Sequence, residues 1–220
     1  MASATASQAR IKICGLSTED TLDAALALGV DWIGLVHFPR SPRHVNLARA
    51  AALSSRAKGR AERVVLLVDP DDTLLADAIV AMDPDLIQLH GRETPERVAA
   101  IRASTRRPVM KALGLATPAD LAPLAAYAAV ADRILLDAKA PVDAALPGGN
   151  GRRFDWTILA DRDLPQGTML SGGLDADNVA EALSRTRLDA VDVSSGVEAA
   201  PGIKDPERIA AFVAAVRGAR

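Results

Sequence analysis

Residues 10–36 read RIKICGLSTEDTLDAALALGVDWIGLV. In Arg10–Cys14 the isoleucines fall at alternate places, as a strand buried on one face requires. Thr18–Gly29 changes to helical spacing, with Ser17 or Thr18 as cap, Glu19 and Asp20 in the first turn and Gly29 at its end. Asp31–Val36 is then a second apolar run. Two strands joined by a helix run parallel, because the helix carries the chain back to the starting edge.

The same unit recurs outward from this stretch. A helix is expected over Asn46–Ala57, a strand over Val64–Val68, and a helix from Asp71 that stops before Asp83-Pro84. Strands follow at Asp85–Leu89, Pro108–Ala112, Arg133–Leu136, Thr168–Ser171 and Ala190–Val193, and Pro206–Val216 closes the chain as a helix. Eight strand–helix units over 220 residues predict an α/β fold, a single-domain (β/α)8 TIM barrel spanning residues 10–220 behind a flexible tail, 1–9. An open doubly wound sheet is the alternative. It would carry a G-x-G-x-x-G turn after the first strand, where this chain has ICGLSTED.

Composition agrees with one large core: 49% of residues are hydrophobic and the net charge is −2. The 26 Lys and Arg are balanced by 28 acids, and two Trp, one Tyr and three Phe make a poor base-stacking platform, so no nucleic-acid partner is expected. No apolar run reaches a membrane span, and MASATASQAR has neither a basic nor an apolar signal region. The single Cys14 cannot form an internal disulfide; a cytoplasmic protein without a membrane partner is expected. A monomer and a homodimer both stay open.

In a barrel of this kind chemistry gathers at the C-terminal ends of the strands, and the unusual residues fall there. Gly172-Gly173 follows strand seven and Ser194-Ser195-Gly196 follows strand eight, where glycines and small hydroxyls turn backbone N–H groups toward an anion. Both are also ordinary tight turns, but the pair at these two positions favours phosphate. Cys14 ends strand one and is either an inert buried thiol or a general base, with Lys12 on the same strand face. Asp137 ends strand six as a cap or as a proton donor into the pocket. The twice-prolined loop Phe38–Arg43 offers Arg43 as a fork for a carboxylate. Gln88 and His90 share a face of strand four, and Asp192 joins them as a further pocket candidate. His37, His90, Asp69 and Asp137 lack local ligand spacing, so no metal is expected. The long stretch Ala138–Asp155 reads as a lid hinged at Gly148, Gly149 and Gly151.

Taken in order, KICG (12–15), SPR (41–43), QLHG (88–91), LLDAK (135–139), GGNGRRFDW (148–156), LSGGL (170–174) and VDVSSGVE…PGIKD (191–205) strongly resemble phosphoribosylanthranilate isomerase, a (β/α)8 enzyme of tryptophan biosynthesis. The resemblance covers nearly the whole chain. It implies an Amadori rearrangement of an aminoaldose, N-(5-phosphoribosyl)anthranilate, to an aminoketose. It also implies Cys14 as general base, Asp137 as general acid, Arg43 on the anthranilate carboxylate, and Gly172, Gly173, Ser194, Ser195 and Gly196 on the phosphate. The cationic iminium is the electron sink, so no cofactor is implied, and the partner is a small sugar phosphate. The chemistry asks for a raised Asp137 pKa and a lowered Cys14 pKa. His37 stands where the family often has an aromatic residue, and Asp69 where it often has Asn. A metal-dependent sugar-phosphate epimerase and a non-catalytic phosphate-binding barrel are the competing readings; an isomerase shared with histidine biosynthesis would need a carboxylate in place of Cys14.

Overall fold

The computed structural model describes residues 8–140, 148–149, 151, 153–160 and 162–219. Eight parallel strands close into a barrel in sequence order: β1 (Arg10–Cys14), β2 (Trp32–Val36), β3 (Glu62–Leu67), β4 (Leu86–Leu89), β5 (Val109–Leu115), β6 (Arg133–Ala138), β7 (Met169–Leu170) and β8 (Ala190–Val193). The helices between them are α1 (Glu19–Ala27), α2 (Leu47–Ala57), α3 (Asp72–Met82), α4 (Pro95–Thr105), α5 (Leu124–Ala128) and α6 (Val179–Thr186), with α7 (Pro206–Gly218) closing the chain. Closure sets β8 beside β1, with Lys12 opposite Asp192.

Helix starts follow the side chains that satisfy free N–H groups. Thr18, Asn46, Asp71 and Thr94 each accept from the backbone three residues on. Helix α3 ends at Asp83, left-handed at φ 41°, immediately before Pro84. Apolar residues on the outward face of the strands, such as Ile11, Ile13, Ile33, Leu35, Val65 and Leu67, pack under the helices in the main core. On the inward face Trp32, Val64, Leu86, Met110, Leu135 and Met169 fill the barrel. The period of two then places Lys12 and Cys14, Gln88 and His90, and Asp137 and Asp192 inward above that plug.

The alternation is not complete. Among the described residues no α-helix follows β6; the segment holds a 3-10 turn, Trp156–Leu159, whose Trp156, Ile158 and Leu159 cover the outer core in a helix's place. Strand β7 has only two residues, and β5 runs on to Leu115, through Gly114, which pairs with Asp137. A hairpin absent from the sequence reading, β9 (Glu198–Ala200) with β10 (Ile203–Lys204), lies between β8 and α7. Of the expected tail, residues 1–7 lie outside the described ones, whereas Ala9 is buried in the outer core.

Candidate active site

A cavity of about 750 Å³, counted to its open mouth, lies at the C-terminal ends of the strands. Cys14, Arg43, Gln88, His90, Asp137, Gly172, Gly173, Asp192, Ser194 and Ser195 all face it. Lys12 and Gly196, also expected at the pocket, do not. Lys12 is fully buried beneath Cys14, and Gly196 lies behind the pocket wall. A Cβ on Gly196 would overlap the Leu174 carbonyl oxygen, so this glycine lets the loop after β8 press against the loop after β7.

On the β1 side, Lys12 Nζ donates to Asp192 Oδ1 at 2.8 Å, and Ser171 Oγ donates to Asp192 Oδ2 at 3.1 Å. Gly34, paired with Cys14 across β1 and β2, makes the space for this cluster. A Cβ there would stand 2.9 Å from Cys14 Sγ and 3.0 Å from Lys12 Nζ. Burial pushes the Cys14 thiol above its usual range; the Lys12 ammonium pulls it down, and the Asp192 carboxylate opposes Lys12. The surroundings of Cys14 therefore do not by themselves give the lowered thiol that the chemistry asks for. Burial alone would depress Lys12, but Asp192 and Cys14 hold its pKa above the ordinary lysine value.

Across the pocket, Asp137 Oδ1 accepts from the Ala138 N–H at 2.8 Å, and Oδ2 lies 3.2 Å from His90 Nε2. Gly148 passes over this contact so closely that a Cβ would overlap His90 Nε2 and come within 2.7 Å of Asp137 Oδ2. Gly148, Gly149 and Gly151 all line the cavity. Residues 141–147, 150 and 152 of the expected lid lie outside the described residues.

Arg43 is 5% exposed, and its guanidinium is held by Glu198 in a two-pronged pair, Nε to Oε1 at 2.7 Å and Nη2 to Oε2 at 2.9 Å. Nη2 also donates to the Gly149 carbonyl at 3.2 Å. Lys204 Nζ reaches Glu198 Oε1 at 2.5 Å and the Ser194 carbonyl at 3.0 Å, joining the arginine to the loop after β8. Neither Glu198 nor Lys204 was marked from sequence, although both sit in the VDVSSGVE…PGIKD run. Lys111 and Glu93 form a further buried pair, on the outer side of β5, at 2.7 Å.

His37 and Asp69 stand outside the cavity lining. His37 Nδ1 bonds the Val45 carbonyl at 2.8 Å, and Asp69 Oδ1 accepts from the Arg92 N–H at 2.5 Å. Both are spent on loop structure. Among the described residues no three of His, Cys, Asp and Glu are grouped to hold a metal ion, and no helix is long and apolar enough to cross a membrane.

Residues 11–215 match the family model described as N-(5'phosphoribosyl)anthranilate (PRA) isomerase. A protein of Azorhizobium caulinodans named N-(5'-phosphoribosyl)anthranilate isomerase is 66% identical over 209 residues, covering 95% of this chain and 92% of its own length. The chain belongs to the phosphoribosylanthranilate isomerase family. Solved isomerases agree in shape. The crystal structure of the Thermotoga maritima phosphoribosylanthranilate isomerase superposes with a TM-score of 0.86 at 33% identity, over 96% of this chain and 99% of that one. A second phosphoribosylanthranilate isomerase structure, in complex with reduced 1-(o-carboxyphenylamino)-1-deoxyribulose 5-phosphate, gives 0.82 at 33% identity, over 96% of this chain and 99% of that one. A 3-hexulose-6-phosphate synthase structure, 18% identical with a TM-score of 0.62, shares the fold alone.

Proposed function

We propose that Cys14 and Asp137 are the base and the acid of the Amadori rearrangement that isomerases of this family catalyse. The observation that carries the assignment is their placement: a thiol on β1 and a carboxylate on β6 face one cavity, with Arg43 and the two Gly/Ser loops also on its wall. Asp137 gives its proton to the ribose ring oxygen, the C1–O bond breaks, and the anilino nitrogen's lone pair forms the iminium. Cys14, as thiolate, removes the C2 proton, and the electrons of that bond neutralise the iminium as an enolamine. The enolamine takes a proton at C1 and gives up its C2 hydroxyl proton, so the aminoketose forms with no net proton gained or lost. Charge is internal to the substrate throughout, so no metal or organic cofactor enters the scheme.

The substrate is a small sugar phosphate bearing an aromatic carboxylate. Arg43 has Nε and Nη2 committed to Glu198 and the Gly149 carbonyl, and Nη1 is left for that carboxylate. The N–H groups and hydroxyls at Gly172, Gly173, Ser194 and Ser195 take the phosphate. Both ends bound at once would hold the sugar between acid and base. The phosphoribosylanthranilate isomerase of Thermotoga maritima is described as dimeric; for this chain a monomer and a homodimer are both compatible with a site built within one barrel.

The test is turnover of freshly generated phosphoribosylanthranilate, followed by loss of anthranilate-type fluorescence, with and without chelator. Asp137→Asn and Cys14→Ala are each expected to lower kcat by about 10²–10⁴-fold, with chelator without effect. A folded variant of either residue that keeps wild-type kcat refutes its assignment.

A further inference from the structure

Gln88 is fully buried on β4, faces the cavity, and has no role in the scheme above. Its amide nitrogen lies 3.1 Å from His90 Nδ1, and the other ring nitrogen, Nε2, lies 3.2 Å from Asp137 Oδ2. While Asp137 is ionised its oxygens can only accept, and Nε2 then carries the ring proton. A neutral imidazole then has a bare Nδ1, which needs a donor, and the Gln88 amide supplies one. The three side chains thus form a directional chain from β4 toward β6. The Gln88 carbonyl oxygen is the end left over, buried and without a hydrogen-bond partner among the described residues.

We infer that Gln88 is a positioning residue that holds His90 in its Nε2–H form, so that the Asp137 proton passes to the substrate and not to the imidazole. This rests on the reading of Asp137 as the acid. With Nε2 protonated, His90 donates to Oδ2 whether Asp137 is a carboxylate or a carboxylic acid. In the acid form the proton then sits on Oδ1, and after ring opening the carboxylate keeps both of its donors, His90 and the Ala138 N–H. With Nε2 bare, the imidazole would instead be an acceptor beside the acid and would compete for its proton.

The surroundings hold the ring in place without replacing Gln88. Lys111, from the outer side of β5, donates to the Leu89 and Gly91 carbonyls that flank His90, and its charge is met by Glu93. From β1 and β8, Cys14 and Asp192 face the cavity, with Lys12 buried beneath them and already paired to Asp192. Arg43, after β2, is paired with Glu198. Gly148 covers the His90–Asp137 contact. Among the described residues Gln88 is the one side chain that hydrogen-bonds His90 Nδ1.

The experiment reads the two imidazole nitrogens of His90 by long-range proton–nitrogen NMR in the full chain, beside kcat and KM against pH. In the wild type the proton is expected on Nε2. In Gln88→Leu the two neutral forms mix, and kcat falls at least about tenfold while KM changes less than about twofold. In Gln88→Glu the new carboxylate draws the proton to Nδ1, so bare Nε2 takes the Asp137 proton and kcat falls; the limb where kcat falls with rising pH moves to higher pH, because the added negative charge makes His90 and Asp137 together hold their shared proton more tightly. A proton on Nδ1 in the wild type overturns the inference, and that measurement needs no variant to fold. An Nε2–H form together with a wild-type pH profile in both variants overturns it equally. Should Asp137→Asn keep wild-type turnover, the acid assignment falls and takes the catalytic half of the inference with it. The wild-type tautomer then separates that failure from a failure of Gln88.

Discussion

Replacing Glu198 by Gln removes one negative charge from a site where two buried cations meet. Glu198 accepts from Arg43 Nε and Nη2, from Lys204 Nζ and from the Gly202 N–H, and the three charged side chains are at most 6% exposed. The amide keeps the shape and one acceptor but leaves Arg43 and Lys204 facing each other uncompensated. Breaking a buried pair from one side costs about 3–5 kcal/mol, a large part of the roughly 5–15 kcal/mol that holds a domain folded. A chain of this size loses about 2–4 °C of Tm per kcal/mol, so Tm is expected to fall by about 6–20 °C. Urea unfolding and calorimetry at neutral pH measure it. Burial alone would raise the Glu198 pKa, but Arg43 and Lys204 outweigh it and hold the carboxyl below its ordinary value of 4.5. A folded-state pKa below the unfolded one means that this contribution is complete above the unfolded value and is lost as pH falls through the folded value. The gap between wild type and Glu198→Gln should therefore be constant near neutrality and narrow below pH 4.5. Arg43, no longer held on one edge, should also bind substrate less well and raise KM. A variant within about 1 kcal/mol of wild type at neutral pH, with unchanged KM, would refute the reasoning that this charge balance fixes the arginine.

Two further substitutions test the other side of the pocket. Lys12→Met removes the cation that pulls the Cys14 thiol down and leaves Asp192 without its ammonium partner. The Cys14 titration midpoint, read from thiolate ultraviolet absorbance, should rise and kcat at fixed pH should fall; an unmoved midpoint excludes Lys12 from control of the thiol. Gly34→Ala puts a methyl 2.9 Å from Cys14 Sγ and 3.0 Å from Lys12 Nζ. It should cost about 1–3 kcal/mol in urea unfolding and depress kcat, although the residue touches no substrate. Wild-type stability and turnover together would show that the pocket has room there.

Much of the architecture was legible in the chain because its determinants are local. The alternate isoleucines of β1, the caps at Thr18, Asn46 and Asp71, and the small residues after β7 and β8 each act over a few positions. Such signals state what a segment is and where it ends. They miss where packing replaces pattern: the turn at Trp156–Leu159 does a helix's covering without a helix's period, and Glu198–Lys204 carries too few residues to announce a hairpin.

The site divides in the same way. The sequence alone determined which side chains stand at the strand ends, since a period of two fixes the inward face and the strand's last residue fixes the rim; Cys14, Gln88, His90, Asp137 and Asp192 follow from that. Only the closed barrel decided what each of them meets. Lys12 and Asp192 are 180 residues apart and become neighbours because β8 completes the barrel against β1. Arg43 and Glu198, 155 residues apart, meet because the loop after β2 and the hairpin after β8 share one rim. The Cys14 thiol is pushed up, not down, because burial is a property of the packed molecule, and no residue in KICG reports it. Local pattern sets direction and end point; the partner of a charge depends on strand order and closure, which are set by the packing of the whole chain.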